Sequence, residues 1–520
     1  MRRRRLPALA AACLAPTPRP GVAQAVTGAA AGAVDERVLR IVAPVEIGGL
    51  DPARGGFIFT RMGVVETLLA ADAEGRPVPV LAERWSVDAA GLEWRFTLRP
   101  GLRFHDGSAV TPEAAVASLR RALADATALA RAPLAALDAT GRDVVIRLAR
   151  PFSILLAVLA NYGSGILAPA AYDAAGHVQA VIGTGPYRVV SITAPMRLEV
   201  ERFESWWGPR PEITRAVYLV AGQGEARAAM AESGQADLVF GLHPVTMARL
   251  RRNPALEVRT VAIPRTRILK LNLASAFFGS LPERQALDLA IDRQGIAAAL
   301  LRNPALAATQ LLPPMTGDWH LADLPPPGRD LPRARALLAS AGWTPGSDGI
   351  LRDRQGRRFR VVLTTYSTWP ELPAIATALQ AQFREIGVDV DVSIGNTSDI
   401  PRLHRDGTLE LGLMSRNYAL VPDPLGTILT DFAQGGSDWG AMNWTDPQLA
   451  AALARLEAAA APEERRALAQ RASAILHEQL PVIPIAWSEL AVAIGRRVAH
   501  VAIDPFETSY RLPDMRWREP

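Results

Sequence analysis

The sequence predicts an α/β protein whose domains interleave, and three observations carry that prediction. Candidate strands and helices alternate along the chain, which is the pattern of α/β lobes. At 520 residues the chain exceeds what one hydrophobic core holds, so two or three domains are expected. Its 41 prolines are scattered through loop-like positions, and no low-complexity linker or repeat separates independent beads.

Strands are read, in order, at Val38–Ala43, Glu93–Arg99, Val144–Ala149, Arg197–Phe203, Arg215–Ala221, Asp237–Gly241, Arg267–Leu273, Phe359–Thr364, Val388–Ser393 and Glu410–Met414. Each is an apolar or alternating run bounded by turn residues. Thr111-Pro112-Glu113 supplies an N-cap, a proline at the first helical position and an early acid ahead of a helix over Ala114–Ala124. Asp446-Pro447 opens Gln448–Ala459 in the same way. Leu372, Ile375, Leu379, Phe383 and Ile386 step by three and four into one apolar stripe, which Gly387 closes as a C-cap. That stripe is read as packing against a sheet.

The N-terminus reads as a secretory leader over residues 1–25. Arg2 to Arg5 form a basic region, Leu6 to Ala15 a short apolar stretch, and Ala23-Gln24-Ala25 a small-residue cleavage site. The apolar stretch is far shorter than the roughly 20 residues of a membrane-spanning helix. A mature chain beginning near Val26 in the periplasm is therefore expected. Lipid anchoring at Cys13, after Ala10-Ala11-Ala12, is the less favoured alternative.

The formal charge of +5 belongs to that leader, which holds five arginines and no acids. Without it the 57 basic side chains fall to 52 and match the 52 acidic ones. Nucleic acid and anionic membrane are thus not implied as partners. Cys13 is the sole cysteine, so a cleaved product has no disulfide, cysteine zinc site or cysteine nucleophile.

One block near the N-terminus is more specific than composition. It runs Glu83-Arg84-Trp85-Ser86, then Trp94-Arg95-Phe96-Thr97-Leu98-Arg99, then Gly101-Leu102-Arg103-Phe104-His105-Asp106-Gly107. Further on come Ile182-Gly183-Thr184-Gly185-Pro186-Tyr187, Lys270-Leu271-Asn272, and Arg284-Gln285-Ala286-Leu287-Asp288-Leu289-Ala290-Ile291-Asp292-Arg293. Ala334-Arg335-Ala336-Leu337-Leu338, Ala341-Gly342-Trp343 and Asp423-Pro424 follow. In kind and order these segments resemble the peptide- and nickel-type solute-binding proteins, family 5, that feed ABC importers.

The resemblance implies a large class II-like periplasmic-binding-protein fold: two α/β lobes, an extra subdomain in the first, and a hinge of two crossing segments. Lobe I is expected over 35–268 and 486–520, and lobe II over 269–485. The crossings are placed near Arg267–Asn272 and Val482–Ser488. The implied function is an exported receptor that closes on a small solute, a peptide or a metal held by an organic chelator, and delivers it to an ABC permease. A monomer without cofactor is expected.

Enzyme signatures are missing. There is no H-E-x-x-H, G-x-S-x-G or Walker loop, and the only lysine, Lys270, has Arg267 three residues before it. Seven histidines (His105, His177, His243, His320, His404, His477 and His500) show no ligand spacing. No catalytic and no metal-ligating residue is assigned. A secreted hydrolase with a site outside known motifs, and a receptor-like periplasmic protein without a transporter, stay open as alternatives.

A cleft between lobes needs aromatic walls and a few fixed polar groups. Candidates from the first lobe are Arg54, Phe57, Phe59, Arg61 and Met62, after the Leu50-Asp51-Pro52 turn, with Asn161 and Tyr162. From the second come Tyr366, Trp369, Arg416, Asn417, Tyr418 and Trp439. Arg416 is expected to offer a planar fork to a solute carboxylate, and Tyr418 a stacking wall. Dipeptide-type members carry an acid just before Asp-Pro, where this chain has Leu420-Val421-Pro422. Nickel-type members carry a histidine about a dozen residues after it and an arginine ahead of the Ala-Pro turn. Here those stretches read Thr430–Ser437 and Asn161–Gly165, without either residue.

Overall fold

The computed structural model describes residues 37–519 apart from 126, 326–327 and 434–435. The expected leader, Cys13 and the start at Val26 lie outside the described residues. Ten strands form one sheet, in the spatial order Asp389–Gly395, Arg360–Tyr366, Leu411–Asn417, Leu256–Leu271, Val482–Gly495, Leu238–Phe240, Val38–Ala43, Arg215–Val220, Arg197–Arg202 and Tyr187–Thr193. A separate antiparallel sheet orders Ala82–Val87, Glu93–Leu98, Asp143–Leu148 and Leu134–Thr140. We call the Val38–Ala43 end of the large sheet, together with the four-stranded sheet, the first lobe, and the Arg360–Tyr366 end the second lobe.

Leu256–Leu271 and Val482–Gly495 join the two ends. They pair antiparallel from Leu256 opposite Gly495 to Lys270 opposite Val482, with the register shifting between Ile263 and Thr266 and again between Arg267 and Ile268. Pro264 lies within the first shift. Proline has no N–H for a ladder and is tolerated at such a bulge. On one side of it Leu238–Phe240 pairs with Val492–Ile494. On the other, Arg265–Leu271 pairs with Leu411–Asn417.

One apolar core lies beneath Val38–Ala43, and it takes in Val498, Val501, Tyr510, Leu512 and Met515 from the end of the chain. A second runs from the four-stranded sheet into the Arg360–Tyr366 end of the large sheet, so apolar contact is continuous between the lobes. The helix starts form as read. Thr111 accepts from the Ala114 N–H at 3.2 Å, and Asp446 from Gln448 and Leu449 at 2.8 Å each. The stripe Leu372, Ile375, Leu379 and Phe383 is wholly buried in the helix Glu371–Arg384, against Arg360–Tyr366 and Asp389–Gly395. Gly387 follows at φ +83°.

Two of the signature segments meet. The His105 N–H donates to the Gly183 carbonyl at 2.9 Å, and the His105 ring contacts the Gly185 carbonyl at 3.0 Å. A Cβ on Gly183 would stand 2.1 Å from the Val64 carbonyl oxygen, and one on Gly185 2.2 Å from that of Gly63. Only glycine permits that approach of backbone to backbone. The Thr184 hydroxyl between them donates to Glu66 at 2.9 Å.

Candidate functional site

Two short elements face each other across the lobes. From the first lobe, the helix Leu155–Leu159 leads into a 3-10 turn, Tyr162–Ser164, that Asn161 caps by accepting from the Gly163 N–H at 2.9 Å. From the second, Leu411–Asn417 runs through Tyr418–Pro422 into the helix Pro424–Phe432, capped by Asp423 on the Leu425 N–H at 2.9 Å. Between them is a cavity of about 450 Å³. Phe152, Ile154 and Val158 wall it on one side, Leu420, Val421 and Leu429 on the other.

The lobes also touch directly around this cavity. Asn161 Nδ2 donates to the Leu420 carbonyl at 2.6 Å. Ser153 donates its N–H to the Glu457 carbonyl at 2.6 Å and its hydroxyl to that of Leu456 at 2.8 Å. Arg150 pairs with Glu457 at 3.1 Å, and Arg131 donates to the Thr430 hydroxyl.

Asn161 and Tyr162 line the cavity. Phe57 sets its ring edge-to-face on Tyr162 at 5.9 Å, and Arg61 lies 4.8 Å over Phe57. Arg54, mostly exposed, pairs with Asp125 at 2.8 Å and borders a neighbouring cavity of about 480 Å³ that shares Ala53 and Gly163 with the first. Trp369 lies apart, beside the crossing strands, with Arg265 5.5 Å over its ring. Asn417 accepts from the Ala419 N–H at 2.8 Å, and Trp439 packs half-buried against the second core.

The remaining candidates are buried or already engaged. Phe59, in the helix Phe57–Arg61, and Met62, which follows it, are fully buried in the first core. Tyr366 is buried and accepts from the Ser415 N–H at 3.3 Å. Tyr418 is fully buried; its N–H donates to the Pro264 carbonyl at 2.7 Å, and its hydroxyl has no hydrogen-bond partner among the described residues. The Arg416 fork, expected to meet a solute carboxylate, is filled by a carboxylate of the chain itself. Nε and Nη2 each meet a carboxylate oxygen of Asp431 at 2.6 Å, and Asp431 also accepts from the Ser437 hydroxyl at 2.9 Å. Asp431 reaches Arg416 from the end of the helix Pro424–Phe432, a return that spacing in sequence does not display.

Burial shapes the titration of three groups. Burial raises Glu66 to about 7 against the donations of Thr184, Trp206 and Trp207. His105 is lowered to about 4 by burial, and Lys270 to about 7 by burial against the pull of Asp431 and Asp438. Among the described residues no three His, Cys, Asp or Glu side chains converge as a metal site, and no helix is long and apolar enough to cross a membrane.

The family model for bacterial extracellular solute-binding proteins, family 5, matches residues 76–439. A two-lobed α/β protein with a cavity between its lobes is the architecture of a solute receptor, and the chain belongs to that family. It is 27% identical to the nickel-binding periplasmic protein of Escherichia coli K12, over 89% of this chain and 92% of that one. It is 29% identical to a glutathione-binding protein, GsiB, of Escherichia coli O1:K1, over 54% of this chain and 56% of that one. NikA from Brucella suis in complex with Fe(III)-EDTA superposes with a TM-score of 0.84 at 22% identity, covering 92% of this chain and 99% of that one. DppA from Helicobacter pylori in complex with the peptide STSA gives 0.79 at 19%, covering 93% and 98%.

Proposed function

We propose that the protein is the exported receptor of an ABC importer, which closes its lobes on a small solute and hands it to a membrane permease without chemical change. The observation that carries this reading is the 450 Å³ cavity, whose walls come from two lobes joined by two paired strands. A solute that touches both walls favours the closed arrangement by its differential affinity. The register shift at Ile263–Thr266, opposite Trp487–Ser488, supports a division between lobes near residues 268 and 486. The packing of Val498, Val501, Tyr510, Leu512 and Met515 into the core beneath Val38–Ala43 supports a return of the C-terminal segment to the first lobe. The leader, a periplasmic location and a monomeric state belong to the same reading.

The ligand-facing set that the geometry supports is Asn161 and Tyr162, backed by Phe57 and Arg61. Leu420 and Val421 stand in the cavity wall where dipeptide-type relatives are expected to hold an amine, which speaks against a free α-amino group as the main anchor. Native mass spectrometry of the gently purified protein, with small-angle scattering before and after solute removal, tests the reading. A co-purified small molecule whose removal expands the particle is the expected result. A solute-free protein with one unchanging scattering profile would count against it.

A further inference from the structure

The cavity between the lobes carries an inference about the kind of solute, which rests on the receptor reading above. Its walls are mostly aliphatic or aromatic, and most of its polar side chains are already engaged. Asn161 donates to Leu420 and accepts from Gly163. Thr127 donates to the Ala122 carbonyl at 2.9 Å and accepts from the Ala130 N–H at 3.2 Å. Thr430 donates to the Gly426 carbonyl at 2.7 Å, and the Glu457 carboxylate has Arg150 as counter-ion.

Two groups differ. Arg131 uses only Nη1, and on a neutral partner, the Thr430 hydroxyl. Its Nε and Nη2 have no acceptor, and it has no carboxylate within ion-pair distance, among the described residues. The Tyr162 hydroxyl likewise has no hydrogen-bond partner among the described residues. The cavity thus offers the exposed guanidinium of Arg131 at its rim and the Tyr162 phenol beside walls that are mostly apolar. The one acid on its wall is already neutralised.

We infer that the cavity takes an amphiphilic carboxylic acid. Its apolar body packs among Phe152, Ile154, Val158 and Leu429, and its carboxylate meets the open edge of Arg131 and the Tyr162 hydroxyl. A planar guanidinium edge matches a carboxylate in two parallel hydrogen bonds. An amine finds no unpaired acid there. A bare metal ion finds neither imidazole nor thiolate.

Calorimetry with three probes of one shape isolates the charge: 4-phenylbutyrate, 4-phenylbutanamide and 4-phenylbutylamine, with dialanine and nickel(II)–histidine as representatives of the other solute classes. The acid is expected to bind, the amide about tenfold more weakly for loss of a charge-assisted hydrogen bond, and the amine not measurably. Arg131→Ala should level acid and amide, and Tyr162→Phe should weaken the acid without reversing the order. Arg131 is exposed, so an unchanged melting temperature certifies that variant. If dialanine or nickel(II)–histidine binds more tightly than the acid, and Leu429→Trp blocks it, the solute class is wrong while the receptor reading stands. If the acid does not bind at all, the assignment of class is overturned, and co-purified solute decides the receptor reading separately.

Discussion

Arg416 and Asp431 form a bidentate pair almost without solvent, so removing only the arginine leaves a buried carboxylate without its counter-charge. Arg416→Met should lower stability by about 3–5 kcal/mol in urea denaturation. Solute affinity, by calorimetry on the folded fraction, should be unchanged. Arg416→Met with Asp431→Leu should recover much of the loss, because well-packed apolar residues replace both charges. A single variant of normal stability but weakened affinity would return Arg416 to the solute. The residue-scale limit of sequence reading is visible here. Arginine near an aromatic before Asp-Pro is legible, but whether a distant acid folds back to occupy its fork is not. The cavity wall has the same difficulty. Ile154, Val158 and Leu429 are apolar whether they face an opening or another side chain, so pattern cannot separate lining from core.

At the scale of elements, the Gly183-Thr184-Gly185 turn holds two groups with opposed titrations. Glu66 has its folded pKa raised to about 7; the stability that this shift supplies is complete below its unfolded value near 4.5 and is lost as pH rises through 7. His105 has its folded value lowered to about 4, so the unfolded chain binds the extra proton and stability climbs from pH 4 to 6.5. The two slopes largely cancel in the parent. Glu66→Gln should therefore unmask a rise in stability between pH 4 and 6.5, and His105→Asn a fall between pH 4.5 and 7, each of about 3 kcal/mol by the size of the shifts. Thermal melts across that range check both. Parallel, flat profiles in all three proteins would refute the assignment.

The elements themselves were unequally legible. Helices announced by Thr111-Pro112 and Asp446-Pro447 carry their caps in local sequence, and the 372–386 stripe carries its period. The strand Leu256–Leu271 reads from sequence only over its last third, near Arg267–Leu273. Pro264 punctuates it, and its two halves face different cores, half-buried before the proline and almost wholly buried after it. No single alternation runs through such a strand.

For the whole molecule, closure has identifiable contacts. Asn161 and Ser153 reach from the first lobe to backbone carbonyls of the second. Each hydrogen bond contributes on the order of 1 kcal/mol. Asn161→Ala should shift the solute-free equilibrium toward open forms by about fivefold, seen as a larger radius of gyration in scattering and as weaker solute binding. A variant that binds more weakly with an unchanged radius would remove Asn161 from the closure and leave it a contact of the solute alone. The ordered matches in the chain made the two-lobed plan legible because hinge strands, turns and caps occur in a set sequence. Which side chains bridge the lobes depends on how the finished lobes meet.

The two crossing strands are paired with one another along nearly their full length, with the register broken at two nearby places, between Ile263 and Thr266 and between Arg267 and Ile268. Mechanically that is a two-ply leaf spring. A bonded ribbon flexes readily across its thin direction, while in-plane shear would require every rung of the ladder to slip together. The two register shifts lie within five residues of each other, so the ladder is weakest over one short stretch. If the lobes open as proposed, such a ribbon would favour bending over sliding and would bring the cavity walls back into the same register.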